Sequence, residues 1–229
     1  MAGDDILQWN CNGLRGHRVE LELLLSSFNP AIVCLQETKL TPEVECKMTF
    51  KYYTSYFKSR ADGNGGVGIL VRNNILQSPV KLNTNLQANA VCVTVKGNAY
   101  IICSIYNPPL SNPQLTDFRH LIGYFSKPYL LCGDFNAHNP LWSSSYRNEH
   151  GKTIEKLIDE YSLVPLNISE NTFNKVSFTP SLIDLTLIHP AVYLDFSFRI
   201  EKDQHHSDHH PIFLTVHSDK DLDYDRIPK

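Results

Sequence analysis

Short, largely apolar runs recur along this chain, and each is followed by a turn or a polar cluster. Asp5–Trp9, Ala31–Leu35, Gly66–Val71, Ala90–Val95, Ala99–Tyr106, Tyr129–Cys132 and Pro211–Val216 are rich in β-branched residues. At ~4–8 residues each, they read as buried strands. Helical periodicity is scarcer. Arg18–Phe28 places Val19, Leu21, Leu23, Leu24, Leu25 and Phe28 at apolar positions and stops at Asn29-Pro30. Leu115–Tyr124 and Gly151–Tyr161 are the next two predicted helices. Many strands with few helices imply two sheets packed face to face with helices outside them.

The bulk properties bound the function. A chain of 229 residues, 42% hydrophobic and 20% charged, suits one large domain with a real core. The boundaries expected are one domain over 1–217 and a charged, weakly patterned stretch, Ser218–Lys229, as a frayed end or the start of a connection. A net charge of −3 argues against a protein that wraps nucleic acid. It leaves room for an enzyme that meets DNA over a small patch and uses a divalent cation. The six cysteines, Cys11, Cys34, Cys46, Cys92, Cys103 and Cys132, form no CxxC pair, and most lie in apolar runs. Buried free thiols in a reducing compartment are expected. No secretory signal and no apolar run of ~20 residues is visible, so a soluble, intracellular protein with no membrane partner is expected.

The polar residues that follow the strands carry the chemistry. Asn10-Cys11-Asn12-Gly13, Gln36-Glu37-Thr38, Tyr106-Asn107-Pro108-Pro109 and Gly133-Asp134-Phe135-Asn136 each sit after an apolar run. The Ile183 segment carries Asp184 and Thr186, and Ser207-Asp208-His209 precedes the last strand. Strand ends are where a layered fold collects a site, because rigid elements hold the side chains while loops expose them.

These motifs, WNCNG, LQET, YNPP, GDFN, IDLTL and SDHHP, resemble in this order the endonuclease/exonuclease/phosphatase superfamily. The run DFNAHNPLWSS, then LVPLN, NTF and SLIDLTLIHP, resembles more narrowly the endonucleases of non-LTR retrotransposons, those of insect jockey and telomere-specific elements among them. Asn12 departs from the superfamily, which usually carries an Asp there, so the metal should lean on the remaining carboxylates. The resemblance implies an α/β (α+β) four-layer α/β/β/α sandwich of two mostly antiparallel sheets with helices outside. It also implies Mg²⁺-dependent nicking of double-stranded DNA, with Mn²⁺ as a substitute. The resulting 3′-hydroxyl would prime a reverse transcriptase domain of the same polyprotein, in the nucleus after cytoplasmic synthesis.

Roles follow from the chemistry and the resemblance together. Phosphodiester hydrolysis needs a cation on an oxygen, a positioned water and a proton for the leaving group. Glu37 is the hard oxygen ligand suited to Mg²⁺, with Asp208 and Asn12 implied beside it. His209 and Asp184 look like the superfamily's His–Asp pair, with His209 acting on the attacking water or binding the phosphate. Asp134 is implied to orient the water or protonate the leaving oxygen. Asn136 would bind phosphate and hold Asp134, and Tyr106 would touch the phosphate through its phenol. Asn10, Thr172, Ser181 and Ser207 take supporting roles. Arg15, His17, Lys39, Arg60, Arg147 and Lys175 are candidate DNA contacts. The segment Asn174–Pro180 resembles the loop that such enzymes direct at the minor groove. His206 is a further candidate DNA contact, and His138 is a motif feature without a role. The cluster His205, His206, His209 and His210 lacks the ligand pattern of a closed zinc shell. The rival readings are an apurinic endonuclease or phosphatase of the same superfamily, and a catalytically silent DNA-binding module.

Overall fold

The computed structural model describes residues 5–168 and 170–217; the stretch Ser218–Lys229 lies outside them. In chain order the elements are β1 (Ile6–Asn10), α1 (Arg18–Phe28), β2 (Ile32–Gln36), α2 (Pro42–Glu45), β3 (Tyr53–Lys58), β4 (Val67–Arg72), β5 (Leu76–Val80) and β6 (Gln87–Val95). They continue with β7 (Asn98–Tyr106), α3 (Leu115–Ile122), β8 (Tyr129–Asp134), α4 (Glu149–Tyr161), β9 (Val164–Pro165), β10 (Asp184–Ile188), β11 (Phe196–Ile200) and β12 (Ile212–Val216). Two six-stranded sheets result, ordered β11-β12-β1-β2-β4-β3 and β5-β6-β7-β8-β10-β9. Each is antiparallel except for one central parallel pair, β1 with β2 and β7 with β8. The parallel pairs are the ones whose connections carry α1 and α3, because a parallel crossover needs the length of a helix.

The continuous apolar runs follow from burial on both faces. In β2, Ile32 and Cys34 join a core between the sheets, while Val33 and Leu35 join a core beneath α1. In β7 and β8, Ile102, Leu130 and Cys132 face the first sheet; Ile101, Cys103, Ile105 and Leu131 face α3 and α4. The expected four-layer sandwich is therefore the observed one. All six cysteines are free thiols; Cys46 is exposed and Cys92 half-buried, while the other four are buried as expected.

Two expectations need correction. β3, β5, β9 and β11 are not among the apolar runs, because they are the edge strands of the two sheets: β3, β5 and β11 carry polar residues there, and β9 is only the two residues Val164 and Pro165. β5 even contains Pro79, which only an edge tolerates. Asp184 does not follow a strand but opens β10. Since β10 runs antiparallel to β8, its first residue pairs directly with Asp134, the last residue of β8. The carboxyl ends of the parallel strands and the amino ends of β10 and β12 thus meet at one end of the sandwich.

Candidate active site

Asn10 is the hub of that end. Its buried side-chain amide nitrogen lies 3.2 Å from Glu37 Oε1, 2.8 Å from Asp134 Oδ2 and 3.3 Å from His209 Nε2. Its amide oxygen accepts the backbone N–H of Asn12 at 3.0 Å. The turn that follows is locked to the end of β2: Gly13 N–H donates to the Glu37 carbonyl at 2.8 Å, and Leu14 N–H to the Thr38 carbonyl at 2.9 Å. Asn12, Glu37, Lys39 and Asn136 all have left-handed backbones, with φ between 45° and 50°. Non-glycine residues adopt that conformation at a cost, and such residues cluster where a site over-determines the chain.

His209 and Asp184 form a buried pair, Nδ1 to Oδ2, at 2.7 Å. The backbone N–H of Asp184 donates to Thr172 Oγ1 at 3.1 Å, and that of His209 to Ser207 Oγ at 3.2 Å. The Ser207 hydroxyl in turn donates to the Asn10 carbonyl at 2.7 Å, and Trp9 Nε1–H to the His209 carbonyl at 3.2 Å. The Phe173 ring closes one side of the imidazole at a centroid distance of 5.0 Å. His209 Nε2 then faces Asp134 Oδ2 at 4.0 Å and Asp208 Oδ1 at 3.9 Å.

Burial alone would lower the His209 pKa; Asp184, with Asp134 and Asp208, outweighs it and pushes the imidazole up to about 9. Asp134 is raised, first by burial and then by Asp184, with His209 pulling the other way. Asn136 N–H donates to its second oxygen at 3.0 Å. Burial also raises the Tyr106 phenol, and the Glu37 carboxylate that it hydrogen-bonds raises it further.

Glu37 and Asp208 behave differently. Burial pushes both upward, but Lys39 and Asn10 at Glu37, and His209 and Lys175 at Asp208, bring both carboxyls below the usual range. The Lys39 ammonium lies 2.9 Å from Glu37 Oε2 and also hydrogen-bonds Asn12 Oδ1; Lys175 lies 3.1 Å from Asp208 Oδ2. Two carboxylates and an amide oxygen already hold cationic groups here, and that donor set fits a hard divalent cation. Asp134, Asp184 and His209 also bring potential ligand atoms within 4.8 Å of one another, the one such group among the described residues. Its 2.7 Å His209–Asp184 contact is a hydrogen bond that occupies Nδ1, so that trio suits proton handling rather than coordination.

Two clefts meet at Glu37. One, of about 710 Å³, runs past Lys39, Arg60, Gly65, Tyr106 and Asn107. The other, of about 640 Å³, runs past Asp134, Asn136, His138, Tyr146, Phe173 and Ser181. Ser181 contributes its backbone, paired with Thr172 and Phe173, to this second wall. Lys39 and Lys175 lie on the acidic residues themselves. Arg60 pairs with Asp62 at 2.9 Å on the first cleft, and Arg15 is exposed just after the Asn12 turn. Arg147 instead pairs with Glu155 at 2.9 Å and lines a separate shallow depression with Pro140 and Leu141. The histidine cluster divides: His206 Nδ1 lies 3.0 Å from Glu20, and His210 Nδ1 lies 2.9 Å from the Glu201 carbonyl. Phe173 and Tyr146 were not singled out in the sequence. Phe173 lies inside the quoted NTF, and its place after Thr172 was the available signal.

The fold is a two-sheet sandwich shared with endonucleases and with a protein of the endonuclease/exonuclease/phosphatase family. A family model described as endonuclease-reverse transcriptase matches residues 100–213. The RNA-directed DNA polymerase from mobile element jockey of Drosophila melanogaster is 25% identical over 218 residues, covering 92% of this chain and 23% of that protein. The endonuclease domain of TRAS1, a telomere-specific non-LTR retrotransposon, superposes with a TM-score of 0.79 at 19% identity, covering 94% of this chain and 99% of that one. The apurinic endonuclease LMAP of Leishmania major gives 0.73 at 14% identity, covering 93% and 87%. The chain is thus similar to endonuclease-reverse transcriptases over residues 100–213 and to the RNA-directed DNA polymerases of mobile elements over most of its length. It spans about a quarter of the length of the curated relatives it first matches.

Proposed function

We propose that the chain is a DNA endonuclease that nicks one strand of a duplex and leaves a 3′-hydroxyl. The observation that carries this reading is one contiguous set of side chains: Asp184 hydrogen-bonds His209, and Asn10, whose amide nitrogen lies 3.3 Å from His209 Nε2, hydrogen-bonds both Asp134 and Glu37. It joins a proton-handling pair to a set of hard oxygen donors at one strand-end surface.

His209, held protonated by Asp184, donates from Nε2 to a non-bridging phosphate oxygen and stabilises charge as it develops there. Asp134 in its ionised form, made more basic by burial and by Asp184, takes the proton of the attacking water as the bond from phosphorus to the 3′-oxygen breaks, and the departing oxygen takes its proton from solvent water. Asn10 holds the acceptor oxygen of Asp134 toward His209, and Asn136 fixes the other. Tyr106 reaches the phosphate from the Glu37 side. Glu37, Asp208 and Asn12 would hold Mg²⁺, or Mn²⁺ in its place. A bound divalent cation supplies Lewis-acid stabilisation of the phosphate oxygens.

The relatives that are RNA-directed DNA polymerases of mobile elements support a reverse transcriptase domain in the same polyprotein as partner. The 3′-hydroxyl would prime it on chromosomal DNA in the nucleus. No described helix is long and apolar enough to cross a membrane. Incubation with supercoiled plasmid and Mg²⁺ tests the reading. Open circles that a polymerase can extend are expected, with none in chelator and about a hundredfold fewer with His209→Ala. Intact duplex should be cut as well as abasic duplex. Equal nicking by His209→Ala, or cleavage confined to abasic sites, would overturn the assignment.

A further inference from the structure

His150, in the first turn of α4, is 4% exposed, and both its ring nitrogens meet backbone carbonyls. Nδ1 lies 3.1 Å from the Phe135 oxygen and Nε2 lies 2.7 Å from the Ser111 oxygen. Carbonyl oxygens only accept, and a neutral imidazole carries one N–H and one lone pair. The ring therefore serves both carbonyls only when both nitrogens carry hydrogen. With one proton gone, a carbonyl faces a lone pair in a buried place, and that is unfavourable. Burial, then His150, holds the His138 pKa down, as a positive ring nearby would. Of the other charged groups on the helices around it, Glu149 and Lys152 pair with each other at 2.6 Å, and Asp117 of α3 accepts the Gln114 N–H at 2.8 Å.

The two carbonyls belong to two different segments of the site. Phe135 stands between Asp134 and Asn136, whereas Ser111 closes the turn that follows Tyr106 and Asn107. The near end of that turn is tied to the Asp134 strand end twice. Asn107 N–H donates to the Asp134 carbonyl at 2.8 Å, and Asn136 Nδ2 donates to the Asn107 carbonyl at 3.0 Å. His150 holds the far end. Within the turn, the N–H and the hydroxyl of Ser111 both donate to the Pro108 carbonyl, at 2.9 and 2.6 Å, so the turn moves as one piece. The base of His150 is itself fixed. Asn148 Oδ1 accepts the His138 and Gly151 N–H groups at 2.9 and 2.7 Å, and its Nδ2 donates to the Asn136 carbonyl at 2.8 Å. Pro108, Leu110 and Ser111 form one wall of the 710 Å³ cleft that meets Glu37 and Tyr106.

We propose that His150 is a positioning residue: its doubly protonated ring pins the Pro108–Ser111 turn to the strand end that carries Asp134, and loss of one ring proton frees the turn. The effect on cleavage rests on the DNA-nicking reading above, but the strap is tested without DNA. Nitrogen-15 spectra of the histidine rings are followed in chelator as pH is raised, with His150 assigned by its absence from His150→Gln. Exchange protection of the Ser111 amide, corrected for the intrinsic effect of pH, is read in parallel. Protection should fall about tenfold as His150 loses its proton, while β7 and β8 keep theirs. A ring that keeps both protons until the protein unfolds, with Ser111 protected throughout, equally supports the strap. His150→Gln puts one amide where two opposed donors are needed, so its Ser111 protection should be low at every pH. With Mg²⁺, that variant should raise KM for duplex about tenfold and leave kcat nearly unchanged, because Tyr106 and Asp134 stay paired on β7 and β8. A strap of this kind in a protein that nicks nothing would sink the endonuclease reading and leave the strap standing. A ring with one bare nitrogen throughout the folded range, or Ser111 protection indifferent to the ring proton, overturns the proposal. So does a fall in kcat at unchanged KM.

Discussion

At the scale of single residues, the site turns on how carboxylates are made unequal. Glu37 and Asp208 sit beside lysines and stay charged, while Asp134 is buried against Asp184 and has its pKa raised. His209 separates the two groups, and Asp184 sets its charge. Asp184→Asn keeps a hydrogen-bonding partner at that position but removes the negative charge, so nicking should fall about a hundredfold or more. The same change should alter stability in chelator. The folded-state pKa of His209 stands near 9, above its ordinary 6.5. Its stabilisation is therefore fully present below about pH 6.5 and lost as pH rises through about 9. The raised Asp134 acts in the same direction. The melting temperature of wild type should fall between about pH 7 and 10, and Asp184→Asn should flatten that fall. A flat wild-type profile, or an undiminished slope in the variant, contradicts the assignment. The identities of these residues were legible because each follows or precedes an apolar run. That Lys39 binds Glu37 and Asn12 was not legible. It depends on left-handed backbones at Asn12, Glu37 and Lys39 that residue type does not announce.

At the scale of elements, the parallel centre of each sheet was readable and the periphery was not. Strands buried on both faces leave an unbroken apolar signature, whereas β3, β5 and β11 trade it for polar residues at or near an edge. α1 begins and ends where its periodicity predicts, at Arg18 and Phe28, because Asn29 closes it with a left-handed backbone before Pro30. The loop from Asn136 to Asn148 is the element whose order the sequence hid. It has no periodicity, yet it packs so tightly on the first turn of α4 that a Cβ on Gly151 would overlap the His138 carbonyl. Gly151→Ala in an ordinary exposed helix would stabilise by about 1 kcal/mol. Here it should destabilise by about 1–3 kcal/mol, measured by chemical denaturation, because the neighbouring backbone must move. A stabilised Gly151→Ala protein would mean that the loop is not clamped to the helix.

At the scale of the whole molecule, the two halves repeat one plan, a parallel pair whose connection carries a helix, with antiparallel strands on either side. The plan gathers strand ends, but it does not align one sheet with the other, because an apolar interface is permissive about sliding. A polar seam just beneath the site supplies the alignment. Gln8 Nε2 donates to the Gly133 and Leu185 carbonyls at 3.3 and 3.4 Å, and its oxygen accepts the Thr186 hydroxyl at 2.8 Å. Gln36 Nε2 donates to Ser104 Oγ at 2.9 Å, and that hydroxyl donates back to the Leu35 carbonyl at 2.9 Å. Gln8 lies two residues before Asn10 on β1, Gln36 just before Glu37, and Thr186 two residues after Asp184 on β10. The seam thus sets the spacing between the sheet that carries Glu37 and the sheet that carries Asp134. Gln8→Leu alone strands the Thr186 hydroxyl and should cost about 1–3 kcal/mol of stability, whereas adding Thr186→Val should recover most of it. Registry predicts a different outcome for cleavage. The double variant should regain stability yet still nick more slowly than wild type, because apolar contact restores the free energy without restoring the spacing. Denaturation midpoints and plasmid nicking rates on wild type, Gln8→Leu and the double variant separate the two effects. A double variant that recovers stability and nicks at the wild-type rate would show that the seam serves the fold alone.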